Sequence, residues 1–205
     1  MEMGLITEED TDFRYNGLPC TRGNMAKIAT RAFEYLKEEK ITDTSAYAAK
    51  LKDYANIEDK YKSYVLQAYG KGIISGYEDG TFKPNNSITR EEASMLLYKT
   101  AQYMGYNDFY EDYKLSDYKY ADDEEIGEWA KEAVYPMNKA EIMTGMGDDM
   151  FSPKSNYTNE QSISTIMRLY DLQNKPKSTP TPTLAPTPEP TEVPTTEETD
   201  IPETD

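Results

Sequence analysis

The chain repeats itself, and that constrains its fold more than any single motif. Gly72 to Glu92, GIISGYEDGTFKPNNSITREE, lies over Glu141 to Gln161, EIMTGMGDDMFSPKSNYTNEQ, without a gap. Ile73 falls on Ile142, Gly76 on Gly145, Asp79 on Asp148, Phe82 on Phe151, Pro84 on Pro153 and Thr89 on Thr158. A third copy starts at Gly4 and keeps the same spacing to Thr21, although Phe13 comes one position early and the proline is missing. Thr21, Thr89 and Thr158 stand 68 and 69 residues apart. A period of that size marks a supersecondary unit that cannot bury its own apolar face, so the units must pack on one another.

Each threonine precedes an amphipathic helix. Apolar residues recur at helical spacing at Met25, Ile28, Ala29, Ala32, Phe33 and Leu36, at Ala93, Leu96, Leu97, Ala101 and Met104, and at Ile163, Ile166, Met167 and Tyr170. A second helix is expected ahead of the turn in two units, over about 60–70 and 124–139, with Pro136 a possible kink. Between the paired helices, Gly76, Gly80, Pro84 and neighbouring asparagines make a compact irregular loop. Thr89 followed by Glu92, and Thr158 by Gln161, read as capping boxes.

The cap leaves Arg90 unexplained. It takes the first helical position, where the helix dipole disfavours a cation, and Arg22 repeats the choice. A guanidinium beside unpaired helix-end N–H groups would suit a carboxylate. The alternative is pairing with an acid of the chain, such as Asp79 or Glu91.

Composition removes several function classes. The net charge is -16, and about -10 of it remains once the acidic segment beyond Pro176 is set aside, with no basic stripe. Such a surface repels nucleic acid. With no histidine, histidine triads and histidine metal sites are excluded. The single Cys20 cannot form an internal disulfide, and it aligns with Ile88 and Tyr157, so it reads as a small buried apolar residue. No run is long enough to insert in a membrane, and the first ten residues lack the features of a secretory signal. Fitting the loop to a calcium-binding hand leaves only Asp79 as a carboxylate among four ligand positions. The acidic run 117–125 reads as a solvated face, and most of the 18 tyrosines as amphipathic surface packing. Carboxylates are abundant, but no pair is set apart as a glycosidase would need. No cofactor or metal is expected. From Lys175 the chain alternates Pro, Thr and acids, which predicts a disordered, extended linker to a cargo of unknown identity.

At these residues the chain resembles the S-layer homology family. Its repeat runs Gly-Ile-x-x-Gly-(Tyr)-x-Asp-Gly-x-Phe-x-Pro and closes on an Ile-Thr-Arg-Ala-Glu type motif, nearly all of which stands in 72–92. The third unit resembles it from Asp117 to Leu172, including a Trp-Ala pair at Trp129 and Ala130. The resemblance implies a mostly α fold of helix-loop-helix repeats packed as a pseudo-threefold bundle. The expected parts are 1–40 (an incomplete first repeat), 41–110, 111–174 and the linker 175–205. It also implies a non-catalytic, extracellular wall anchor whose grooves bind secondary cell-wall glycopolymer, commonly one carrying pyruvate ketals. Carried over by position, Arg22 and Arg90 would contact polymer, Gly76, Asp79, Gly80 and Thr89 would shape the site, and Trp129 would line or support a groove, although a lone Trp on a helix is more often core.

Departures qualify the expectation. Asn159 replaces the arginine of the third motif, which predicts a groove without its cation; Lys60 stands where the family has an aromatic residue; Met146 and Gly147 dilute the third turn. The front half of the first repeat and a signal sequence are missing, which suggests an N-terminus lost by truncation and a domain short of one central helix. The alternative function is a helical module that binds a protein or assembles with itself in a surface array.

Overall fold

The computed structural model describes residues 4–7, 10, 17–37, 40–106 and 118–174. Phe13, Asp117 and the expected linker 175–205 lie outside the described residues. Six α-helices are described: α1 (Arg22–Lys37), α2 (Ser45–Ala48), α3 (Asp59–Gly70), α4 (Arg90–Tyr103), α5 (Glu128–Lys139) and α6 (Asn159–Asn174). The fold is mostly helical, with isolated β-bridges and no named strand among the described residues. None of these helices is long and apolar enough to cross a membrane.

The three helices that follow the repeated threonines form the centre. α1, α4 and α6 pack on one another pairwise, while α3 leans on α1 and α5 on α4. The core contains the faces read from periodicity in α1 and α4, with Met25, Ile28, Ala29, Phe33, Ala93 and Leu97 at most 1 % exposed; in α6 Ile166 is buried as expected, but Leu169, outside the expected set, is buried and Met167 is 39 % exposed. Pro136 lies inside α5 without ending it. The helix expected over 124–139 is divided, a 3₁₀ turn at Asp123–Glu125 preceding α5.

At the pseudo-threefold axis three equivalent residues exchange backbone hydrogen bonds in a ring. Cys20 N–H donates to Tyr157 O (2.6 Å), Tyr157 N–H to Ile88 O (2.9 Å) and Ile88 N–H to Cys20 O (2.9 Å). All three side chains are at most 1 % exposed, and burial pushes the Cys20 thiol up to about 12. Cys20 therefore acts as apolar filler.

The helix starts are tied across repeats in the same way. Arg22 N–H donates to Asn86 O (2.9 Å) and Gly23 N–H to Pro84 O (2.8 Å), both in the second loop. Arg90 N–H and Glu91 N–H donate to Ser155 O (3.0 Å) and Pro153 O (3.1 Å) in the third, and Asn159 N–H to Leu18 O (3.1 Å) in the first. This corrects the expectation of unpaired N–H groups awaiting a ligand, because each neighbouring loop supplies carbonyls to donors that helix geometry leaves open. The Thr hydroxyls complete the caps, accepting from Asn24, Glu92 and Gln161 N–H at 3.1, 3.3 and 3.2 Å.

Each complete loop is held from below by one carboxylate. Asp53 accepts from Phe82 N–H (2.9 Å) and Lys83 N–H (2.8 Å), and Asp122 from Phe151 N–H (2.8 Å) and Ser152 N–H (2.6 Å). Lys83 and Ser152 adopt positive φ, 54° and 61°, a conformation that costs an L-residue about 1 kcal/mol or more. The two-pronged acceptor holds them there.

The expected loss of a central helix is also corrected. All three central helices are present; the position without a counterpart is an outer one. α3 covers the face of α1 that carries Ala26 and Thr30, and α5 the equivalent Ser94 and Tyr98 face of α4. α6 has no comparable outer helix among the described residues, and there Ile163 is half-buried and Met167 is 39 % exposed.

Asp122→Ala strands two N–H groups beneath the third loop, so urea denaturation should show a loss of about 3 kcal/mol, within the range for hydrogen bonds to a charged group. A loss below about 1 kcal/mol would show that the loop holds its own shape.

Candidate functional site

The arginine at the first turn of one repeat's helix reaches into the loop of the next repeat. Arg22 Nε donates to Phe82 O (2.9 Å), Nη2 to Ser75 O (3.3 Å), and Nη1 bridges Glu92 Oε1 at 3.1 Å. Its guanidinium lies over the Tyr77 ring, 4.3 Å from the centroid, with Phe82 at 5.0 Å. Tyr77 Oη donates to the same Glu92 oxygen (3.1 Å), while the other oxygen accepts from Thr89 N–H (2.9 Å). One carboxylate thus caps α4 and neutralises Arg22.

Around this pair opens a cavity of about 680 Å³, within the range of small-ligand sites. Three repeats build it. The first gives Arg22; the second gives Gly76, Tyr77, Asp79 and Phe82 from its loop and Glu92, Met95 and Lys99 from α4; the third gives Trp129 from α5. Trp129 is 51 % exposed, so it is a rim residue and not core. Gly127 leaves room for it, since a Cβ there would meet the indole nitrogen at 2.5 Å.

The loop glycines and Asp79 serve the shape of this wall. A Cβ on Gly76 would come 3.0 Å from Thr81 O, the carbonyl that accepts from Tyr77 N–H to close the loop, and Gly80 sits at φ 81°. Asp79 accepts from Thr81 N–H (2.9 Å) and Thr81 Oγ1 (2.6 Å) and bridges Lys83 Nζ (2.8 Å). The Lys83 ammonium first, and then the Thr81 donors, hold its carboxyl well below the usual carboxylate range. Gly80 and Thr89 line neither cavity, Thr89 being turned to its own helix cap.

Arg90 occupies a second, smaller groove of about 270 Å³, formed with the third loop. The structure therefore brings Arg22, Gly76, Asp79 and Trp129 together and places Arg90 apart from them. Arg90 is 4 % exposed; Nε donates to Phe151 O (2.8 Å), a second nitrogen donates to Thr144 O, and the guanidinium lies 5.0 Å from the Phe151 centroid. Burial lowers its pKa, the tyrosines at 157 and 120 oppose the shift, and Arg168 adds to it. Where Glu92 stands in the first groove, the second has neutral Gln161, which caps Thr158 N–H at 3.1 Å.

Asn159, expected to leave its groove without a cation, points its backbone at Leu18 of the first loop. In that third groove Asp10 lies between Lys27 and Arg31, bridging Arg31 at 2.5 Å and contacting Lys27, and Thr7 N–H donates to it at 2.7 Å. Burial works against ionisation, but the two cations outweigh it and hold the Asp10 carboxyl far below the usual carboxylate range. The two cations are thus met by a carboxylate of the chain's own first loop.

Reading by motif missed Lys99 and Arg168. With Arg31 they stand nine residues after Arg22, Arg90 and Asn159, and all three are basic, a repeat visible in the sequence.

Two segments, 50–94 and 119–158, match the S-layer homology domain. They cover the outer helix and the loop of the second and third units and end at the starts of α4 and α6, so the two matches stand in tandem. The chain is 33% identical over 127 residues to an endoglucanase of Bacillus sp. (strain KSM-635), covering 59% of this chain and 13% of that protein. It is 29% identical over 171 residues to exoglucanase XynX of Acetivibrio thermocellus, covering 82% of this chain and 14% of the relative. A cellulosome-anchoring protein of the same species is 30% identical over 100 residues, 48% of this chain and 21% of that protein. The chain thus spans a small part of the length of each of these relatives.

Arg90→Ala removes the partner of two buried carbonyls and opens a hole beside Phe151, so chemical denaturation should show a loss of about 2–4 kcal/mol. Arg22→Ala, at a less buried side chain, should lose less. The folded Asp10 pKa lies below its unfolded value, so its contribution is complete at neutral pH and fades as pH falls below about 4. Thermal melts between pH 7 and pH 2.5 should therefore show a steeper loss for the wild type than for Asp10→Asn.

Proposed function

We propose that these S-layer homology repeats anchor a surface protein to the bacterial cell wall by holding secondary cell-wall glycopolymer in the grooves between repeats. The carrying observation is the first groove: a cavity of ligand size with a half-exposed indole on its rim, walled by three successive repeats. An exposed aromatic face beside convergent polar groups suits a pyranose ring, whose C–H face is apolar and whose rim is hydroxyl-rich. The family match and the relative named as a cellulosome-anchoring protein support the same reading. The enzyme names belong to relatives of which this chain covers 13% and 14%, so their activities need not reside in this part.

An acidic protein and an acidic polymer are compatible on this reading. Long-range repulsion between them is screened over about 8–10 Å at physiological salt, whereas contacts inside a groove are decided by donors at hydrogen-bond distance. One observation favours a second reading, a protein-binding or self-assembling module: the face of α6 with half-buried Ile163 and exposed Met167, which no outer helix covers among the described residues.

Cosedimentation of the 205-residue chain with protein-free Gram-positive sacculi separates the two. Wall binding should be retained without any protein partner, should fall about tenfold in Trp129→Ala with the fold intact, and should be lost when pyruvate ketals are removed by mild acid. Failure of the folded wild type to sediment with sacculi would overturn the anchoring reading.

A further inference from the structure

Glu91 lines neither groove, yet it holds the backbone beneath the residue on the rim of the first. It stands at the second helical position of α4 with its side chain 6 % exposed, and both carboxylate oxygens meet the third repeat. Oε2 accepts from Gly127 N–H (3.0 Å), and Oε1 bridges Lys154 Nζ (2.5 Å). Gly127 is the residue from which α5 starts, and no side chain caps that helix. The Trp129 indole lies against this glycine so closely that a Cβ there would meet Nε1 at 2.5 Å and Cδ1 at 3.0 Å. A side chain as exposed as Trp129 keeps several rotamers open unless its bed selects one. The equivalent helix start in the first repeat has Gly23, where a Cβ would meet the Tyr61 ring at 3.1 Å, and α3 carries Lys60 at the place of Trp129. The carboxylate and the indole thus occur together in the α4 and α5 pair and are both absent from the α1 and α3 pair. Glu91 also departs from the Ile-Thr-Arg-Ala-Glu pattern, which has alanine at this position.

We infer that Glu91 is the positioning residue for Trp129: by accepting from Gly127 N–H it fixes the peptide on which the indole lies, and so sets the aromatic wall of the first groove before any ligand arrives. It acts through Trp129 and touches no ligand itself. Only its consequence for wall binding rests on the anchoring reading above; the placement of the ring belongs to the free protein. A wall ordered in advance spares a ligand the cost of ordering it on binding. Lys154 serves the same end, because it meets a carboxylate that would otherwise be buried without a counter-charge. Lys154 belongs to the third loop, whose Gly145 and Met146 line the second groove, so the rim of one groove is registered against the wall of the next.

The test uses the whole chain, in which Trp129 is the only tryptophan, so that its fluorescence and its indole N–H signal report on one place. In Glu91→Ala, well below its melting temperature, acrylamide should quench the indole faster and the N–H signal should move, and sacculus binding should fall roughly fivefold. Glu91→Gln, whose amide oxygen still accepts from Gly127 N–H, should return both the indole signals and the binding to near wild type. Gly127→Ala, which displaces the ring and leaves Glu91 in place, should reproduce the indole change. The double variant Glu91→Ala/Trp129→Ala should bind no worse than Trp129→Ala alone, since two residues that act as one do not add. If Glu91→Ala does not fold, Glu91→Asp, one methylene short of Gly127 with its charge kept, gives the same indole readout. A role in stability alone would lower the melting temperature, leave the indole signals as in the wild type and add to the loss from Trp129→Ala. Unchanged indole signals in the folded Glu91 variants, failure of Glu91→Gln to restore them, or additive losses would each overturn the inference. Failure of the wild type to sediment with sacculi removes the anchoring reading alone, because the indole signals of the free protein decide the positioning role without the wall.

Discussion

The ring of three backbone hydrogen bonds among Cys20, Ile88 and Tyr157 is the constraint from which the rest follows. Because each repeat donates to one neighbour and accepts from the other, no repeat can be seated independently. The same geometry brings each loop beside the start of the preceding repeat's helix, so its carbonyls meet the N–H groups that helix cannot satisfy itself. Such groups would be costly to bury unpaired, and pairing them across repeats converts that cost into a registration device. The grooves are a by-product of this registration, which is why the first repeat's Arg22 and the third repeat's Trp129 meet over the loop and α4 of the second.

Much of this was legible in the sequence. The apolar spacing identified the central helices, and the Thr-x-x-Glu and Thr-x-x-Gln spacings identified their caps, because both are local rules. What was not legible is long-range. Arg90 and the second loop are neighbours in sequence, yet Arg90 enters the third loop and Arg22 enters the second. Sequence alone gives the period but not which copy's arginine meets which copy's loop. Trp129 fell the other way from its usual burial, since it stands at the start of α5, where that helix passes the mouth of a groove built from other repeats.

Charge follows the same division between local and global. The chain is strongly acidic, but each groove has its own balance, set by a few charged residues of the loops and central helices: Arg22, Glu78, Asp79, Glu92 and Lys99 in the first, Arg90, Glu160 and Arg168 in the second. The third groove shows the limit of this logic: Asp10 already lies against Lys27 and Arg31, so the cations that repeat at this position are satisfied internally. Equivalent places in one ring therefore differ: Arg22 is bridged to Glu92, Arg90 has no carboxylate at ion-pair distance among the described residues, and Lys27 and Arg31 are bridged to Asp10.

The placement of the grooves along the central helices has a mechanical consequence. They start at the first turns of the central helices and reach Lys99 on α4 and Arg168 on α6, and α6 runs on from there to Asn174, roughly 9 Å further at 1.5 Å per residue. Tension entering at Asn174 runs along the axis of α6 and is resisted by the sliding of its packed face, Ile166 and Leu169, past α1 and α4. A load in shear must break many contacts at once, while a peeling load breaks them one at a time. The route of the chain thus sets the domain to yield by the slower process under sustained pull, with the unfolding rate rather than the equilibrium stability fixing how long it holds.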